Sequence, residues 1–323
     1  MELSLILLVV AAILNNAVNA GRIKRIVGGS RVDIQSAPFV AMLRDYRDDD
    51  ARTGHICGGA IISSRHILTA AHCISEGDRY PLDLDELDNL VIVVGEDTFD
   101  YHSTMYEVEE IYHPTTFHGD LSDTSKDRGD IAIIKLEEEI HFNSYRQPIQ
   151  LATHEPESQA RGLVYGWGRT GRNAPYSGSL QGLQVTYFTM PSCSWEFPFQ
   201  AFTADELCAR GIGETDTCSG DSGAPLVMSH QLVGVLSHGS VGCDGSRPSA
   251  YASVPYYKSW IEDVIAGKVE RIYPPVIPTS PPDVRACHTP KPATTAPRRH
   301  RASCIRKKKK KSSSTPQSPK NFM

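Results

Sequence analysis

The sequence predicts an all-β chain, a sandwich or barrel, closed by one C-terminal helix. Between about residues 26 and 254, short β-branched runs recur at 38–43, 56–63, 90–95, 105–111, 131–136, 163–167, 183–188, 225–228 and 232–236. Gly, Pro, Asn and Asp bound these runs, as turn residues bound the strands of all-β domains. Residues 255–266, opened by Pro255, then place Tyr256, Tyr257, Trp260, Ile261, Val264 and Ile265 on one face. This segment reads as a helix that docks an apolar stripe.

Composition agrees. A chain of 323 residues that is 40% apolar and 22% charged has ample material for a core, which excludes an intrinsically disordered protein. The net charge of −5 averages two opposite segments. Residues 26–267 carry 16 Lys/Arg against 35 Asp/Glu, and residues 268–323 carry 14 against 2. An acidic body with a basic tail is the outcome, and the overall charge says little about partners.

The ends differ from the middle. Residues 3–14 read LSLILLVVAAIL, followed by small residues to Ala20, so residues 1–20 read as a secretory signal, although only Glu2 and no basic residue precedes the apolar run. The run is shorter than the roughly twenty apolar residues a membrane span needs. Residues 268–323 hold ten prolines, the run Lys307–Lys311 and little apolar material, so disorder is expected there. The lysine run suits polyanions such as heparin-like chains or anionic lipid, and no specific nucleic-acid partner is expected of a secreted chain. Eight cysteines without C-x-x-C pairs point to disulfides in an extracellular setting rather than to zinc ribbons.

Three segments carry candidate chemistry: TAAHC at 69–73, GDIAIIKL at 129–136 and CSGDSGAP at 218–225. Each alone has an ordinary explanation. His72 could be a core or surface residue, Asp130 a turn before a strand, and Gly220-Asp221-Ser222-Gly223 a loop. Together, in the order His, Asp, Ser, they form the set that nucleophilic acyl transfer requires. A serine hydroxyl is protonated at neutral pH and needs a base, an imidazole titrates near neutrality, and a carboxylate fixes the imidazole tautomer.

With these motifs the chain resembles the trypsin/chymotrypsin family of serine proteases from Ile26 to about Ile265. The resemblance implies two six-stranded antiparallel barrels with a C-terminal helix, and a catalytic triad of His72, Asp130 and Ser222. It implies an oxyanion hole from the N–H groups of Gly220 and Ser222, and Ser237 as a support for Asp130. It makes residues 21–25 an activation propeptide cut after Arg25, freeing Ile26 to pair with Asp221, and residues 26–267 the protease domain. Asp216 would lie at the base of the substrate pocket, lined by Gly239 and Ser249, and would select Arg or Lys. His238 and Ser249 stand where many relatives have Trp and Gly, which narrows the pocket and shortens its aromatic wall.

The family pairing of cysteines is Cys57 with Cys73, Cys193 with Cys208, and Cys218 with Cys243. Cys287 and Cys304 in the tail could pair, stay free or bond another chain. Gly95-Glu96 begins like the family's calcium loop, but a second ligand is not evident, so no cofactor or metal is expected. Acidic loops 45–50 and 83–88 are surface charge or steer basic substrates.

The expected function is thus a secreted serine endopeptidase, activated by another protease, acting on protein or peptide substrates after Arg or Lys and open to protease inhibitors. Chymotrypsin- or elastase-like specificity, or a catalytically idle binding module of the same shape, are the alternatives.

Overall fold

The computed structural model describes residues 28–46, 54–74, 89–99, 103–119, 127–197, 201–213, 215–239, 242–269 and 271. The signal segment, Arg25 and Ile26, loop 83–88, most of loop 45–50, Cys287, Cys304 and the lysine run lie outside these residues.

The first barrel is built from β2 (Val40–Asp45), β3 (His55–Ile61), β4 (His66–Thr69), β5 (Leu90–Val94), β6 (Met105–Tyr112) and β7 (Ala132–Leu136). They close in the order β2-β3-β4-β7-β6-β5, so no strand edge is left unpaired. Its interior is filled by Leu43, Ile61, Ile67, Ile92, Ile111 and Ile134, all withdrawn from water. β-Branched residues suit this half-buried pleated surface, and that is why these runs are legible as strands.

The second barrel comprises β9 (Arg161–Gly166), β10 (Gln181–Phe188), β11 (Glu206–Gly211), β12 (Pro225–Met228), β13 (Gln231–His238) and β14 (Ser249–Ser253). The order β10-β11-β14-β13-β12-β9 closes through a β9–β10 pairing. Short strands β1 (Ser30–Arg31) and β8 (Gln150–Leu151) add to β10 and β13. The architecture is therefore the two six-stranded antiparallel barrels that the motifs implied. Ile34, Val40, Met42, Val93, Tyr165, Trp167 and Leu180 form an apolar cluster drawing on both barrels.

Three full strands are not evident from the sequence. β4 is only four residues long and runs straight into the TAAHC motif. β11, with the sequence ELCARG, carries charges that only tertiary pairing makes acceptable in a strand. β14 reads SAYAS and is buried throughout, so it shows no alternation of polar and apolar residues. A second helix, α1 (Met190–Glu196), is equally unannounced. It has one apolar anchor of note, Cys193, which is disulfide-bonded to Cys208 of β11.

The C-terminal helix, α2 (Val254–Ile265), begins one residue before the predicted start, with Ser253 Oγ accepting the Tyr256 N–H at 3.3 Å as its N-cap. Val254, Tyr257, Ile261 and Val264 join an apolar cluster with Leu232 and Val235 of β13, and Trp260 packs against it. Two members of the predicted stripe face outward instead. Tyr256 is half exposed and donates its hydroxyl to Asp127, and Ile265 is 38% exposed at the last turn. The stripe is narrower than expected because 3.6-residue periodicity carries positions 256 and 265 to the edge of the docked face. Ile261→Ala should cost about 2–4 kcal/mol by leaving a cavity, and Ile265→Ala under about 1 kcal/mol. Chemical denaturation of the two variants checks this, and equal losses would contradict the docking.

Candidate active site

His72 lies on a 3-10 turn, Ala71–Ile74, that follows β4. Its neighbour Cys73 is disulfide-bonded to Cys57 of β3, which pins this turn to the barrel wall. Asp130 sits just before β7 and is 1% exposed. One Asp130 oxygen, Oδ1, accepts the His72 backbone N–H at 2.9 Å, and Oδ2 lies 2.9 Å from His72 Nδ1. The Ser237 hydroxyl of β13 donates to the same Oδ2 at 2.5 Å. A carboxylate only accepts, so the His72 proton resides on Nδ1, and Nε2 keeps its lone pair for another group.

Burial by itself would raise the Asp130 pKa, but the His72 charge and the hydrogen bonds from His72 and Ser237 outweigh it and hold the group at about 2. Burial pulls the His72 pKa down, whereas the charge and hydrogen bond of Asp130 overcome this and leave it raised. The pair thus favours a charged carboxylate beside an imidazole ready to accept a proton.

Ser222 lies in the turn between Cys218 and β12. Its carbonyl accepts the Gly58 N–H of β3 at 2.8 Å, and the following Gly223 N–H donates to Leu236 O of β13 at 2.8 Å. The turn therefore bridges the two barrels. At Gly223, φ is +77°, and an added Cβ would stand 2.3 Å from Thr69 Oγ1 and 3.3 Å from Ala70 N. Only glycine allows this approach, which sets the Ser222 turn against the segment leading to His72. Among the described residues the Ser222 hydroxyl makes no hydrogen bond, and neither the Gly220 nor the Ser222 N–H is spent on one.

A residue that the sequence motifs do not single out holds this turn from behind. His55 Nε2 lies 2.7 Å from Gly220 O, and its ring packs edge-on against Tyr176. Burial first, and Arg44 in addition, lower its pKa to about 4 despite the Gly220 contact, so His55 is a neutral donor. The only signal in the sequence is a lone His opening an otherwise apolar strand.

Asp221 is 1% exposed, and its two oxygens accept the Gly168 and Cys218 N–H groups at 2.9 and 3.0 Å. Burial raises its pKa to about 7 against the pull of those two donors. Asp216, 2% exposed, accepts the Gly245 N–H at 3.0 Å. The hydroxyls of the adjacent Thr217 and of Ser249 are 2.7 Å apart. A Cβ on Gly239 would meet Ser249 Oγ at 2.9 Å and Thr217 Oγ1 at 3.1 Å, so these residues share one wall. The Cys218–Cys243 disulfide ties the Ser222 turn to the same wall.

Next to the His72–Asp130 pair lies a cluster of charges. Arg128, two residues before Asp130, has a 4% exposed side chain whose Nη1 reaches both oxygens of Glu206, at 2.5 and 2.7 Å. The neighbouring Asp205 accepts the Arg128 and Gly129 N–H groups at 3.3 and 3.0 Å and the Tyr257 hydroxyl at 2.6 Å. Adjacent carboxylates on β11 and just before it thereby fix the backbone that presents Asp130. The TADELC segment carries a signal, two acids in an apolar run, that periodicity alone does not interpret. Cys57, Cys73 and His72 place their ligand atoms within 4.8 Å of one another, but both sulfurs are bonded in a disulfide and offer no thiolate to a metal.

The raised pKa of Asp221 has a defined consequence for stability. The folded state holds the Asp221 proton up to about pH 7, whereas the unfolded chain releases it near 3.8. Its contribution to stability is therefore present at low pH and lost as pH rises from about 4 to about 7. Unfolding of the full-length chain, with and without Asp221→Asn, should diverge across that window, and parallel profiles would contradict the assignment.

Residues 26–261 match the family model for trypsin. Among curated proteins, the chain is 32% identical over 244 residues to trypsin-3 of Salmo salar, covering 75% of this chain and 93% of that protein. It is 31% identical over 262 residues to phenoloxidase-activating enzyme 1 of Spodoptera litura, covering 75% and 67%. Among solved structures it is similar to mouse neuropsin, a serine protease, with a TM-score of 0.61, 25% identity, and 73% and 98% of the two chains covered. It is also similar to an inactivated protease paralogue of the scabies mite, with a TM-score of 0.63, 27% identity, and 76% and 99% covered. The twin barrels, the His72–Asp130 pair held at the junction with the Ser222 turn, and a family match that spans both barrels lead to one conclusion: this chain belongs to the trypsin family of serine proteases.

Proposed function

We propose that the chain is a secreted serine endopeptidase, made as a precursor, cut after Arg25 and then cleaving substrates after Arg or Lys. The observation that carries this reading is the doubly bonded His72–Asp130 pair, supported by Ser237 and set beside the Ser222 turn.

In this mechanism His72 Nε2 takes the Ser222 proton as Oγ attacks the scissile carbonyl carbon. The carbonyl π electrons move to oxygen, where the Gly220 and Ser222 N–H groups receive the negative charge. His72 then gives its proton to the departing amine as the C–N bond breaks, leaving an acyl-enzyme. Water repeats the sequence and frees the acid. Asp130 stays ionised throughout and stabilises the transient imidazolium. Without the Ser222 hydroxyl no acyl-enzyme can form, and only the oxyanion donors and substrate binding still assist the reaction. Ser222→Ala should therefore lower kcat/KM by about 10⁴-fold or more.

The buried carboxylate of Asp216 favours a cationic side chain in the pocket, because a guanidinium or ammonium complements its negative charge where water is excluded. Ser249 and Thr217 narrow the slot, which favours a slim cationic chain over a broad aromatic ring. The neutral tendency of Asp221 fits the precursor: once Arg25–Ile26 is cut, an α-amino group supplies the missing cation and favours the ionised form. The three described disulfides support an extracellular setting. Activating proteases and inhibitors are the partners this reading implies, with polyanions for the basic tail.

The similarity to an inactivated paralogue gives the idle binding module a specific basis. Intact His72, Asp130 and Ser222 favour the enzyme. After confirmed cleavage at Arg25, an arginine-directed phosphonate should label Ser222 in the natural chain and not in Ser222→Ala. Failure to label would leave the binding module. Peptide-library profiling should give Arg or Lys before the cut bond, and Phe or Ala there would refute the role given to Asp216. Arg25→Gln should stay inactive when treated with trypsin-like proteases; full activity with that bond intact would refute the precursor scheme.

A further inference from the structure

A continuous line of hydrogen bonds joins Glu206 to His72, and the chemistry of its members fixes its direction. Arg128 Nη1, held by Glu206, lies 3.3 Å from His238 Nε2. A guanidinium only donates, so Nε2 must accept and the His238 proton is forced onto Nδ1. That Nδ1 lies 3.2 Å from Ser237 Oγ. The Ser237 oxygen therefore accepts a hydrogen bond from His238 Nδ1–H, and its own O–H is directed to Asp130 Oδ2, the oxygen that also binds His72 Nδ1. Every member from the guanidinium to Asp130 has one consistent role.

The indole expected at position 238 from the family resemblance could donate but could not accept from Arg128. His238 is partly open to solvent, with 29% of its side chain exposed, yet its neighbours keep it neutral. Burial lowers its pKa to about 4, Arg128 and His72 push the same way, and Asp130 opposes them. Glu206 Oε1, 3.7 Å from Nδ1, lies beyond hydrogen-bond reach of it.

We propose that His238, locked in its Nδ1–H form by Arg128, is a positioning residue that aims the Ser237 hydroxyl at Asp130 and so sets how much carboxylate charge is left for His72. The inference rests on the triad reading above, but it has a readout that needs no turnover. In the full-length Ser222→Ala chain, the pH midpoint of His72 can be followed by NMR with His238 intact or replaced by Phe, Leu or Gln. Loss of the Ser237 proton returns negative charge to Asp130, which then holds the imidazolium more tightly.

His238→Phe and His238→Leu should move the His72 midpoint to higher pH. In the Arg25-cleaved enzyme they should lower kcat about three- to tenfold, the effect of one net hydrogen bond. His238→Gln should restore both values, because its amide can accept from Arg128 and donate to Ser237. Circular dichroism checks that each variant is folded, and Leu serves should Phe not be accommodated. An unmoved His72 midpoint in the apolar variants, or a folded Gln variant that behaves as they do, overturns the relay. Failure of the natural enzyme to label with phosphonate would instead overturn the triad reading, and the NMR comparison would still decide the relay.

Discussion

The arrangement depends on keeping the Asp130 charge in a place that water does not reach. A lone carboxylate there would neutralise itself by taking up a proton. Three donors prevent this: the His72 backbone, the His72 ring and the Ser237 hydroxyl, which come from two different barrels. The buried charge is therefore shared out between donors of both barrels. Chemistry and tertiary structure are coupled at this one group.

The docking is secured on several sides. The Cys57–Cys73 bond fixes the His72 turn, the Cys218–Cys243 bond fixes the Ser222 turn, and the Gly58–Ser222 hydrogen bond joins β3 to that turn. Asp205 adds a further tie, because it binds the backbone before Asp130 and the Tyr257 hydroxyl of α2 at once. The C-terminal helix is thus connected to the backbone of the site through one buried acid, as well as packed on the core.

Charge is unusually dense behind the site. Arg128, Asp205, Glu206, Asp216 and Asp221 are all buried, alongside Asp130. Buried ion pairs seldom add net stability, since desolvation offsets most of their attraction. What they supply here is direction, because a donor-only guanidinium dictates the tautomer of His238. Asp221 shows the opposite case: its two described donors are backbone amides without charge, and its pKa rises accordingly.

Much of this is legible in the residues. Long β-branched runs mark nine strands because side-chain preference and burial agree there. The TAAHC, GDIAIIKL and CSGDSGAP motifs single out His72, Asp130 and Ser222. β4, β11, β14 and α1 are not legible, for their residues gain their structure from partners rather than from local preference. Glu206 becomes acceptable in a strand only opposite Arg128, and β14 only because both of its faces are covered. His55 and the Arg128–His238 contact are likewise hidden, since each pairs positions separated by more than a hundred residues. The sequence by itself determined which strands form and which side chains could do acyl-transfer chemistry, because both are properties of residue type and near neighbours. Tertiary structure alone decided which of the many acids are buried, which are paired and which way each proton points, because those depend on distances that only the closed barrels define.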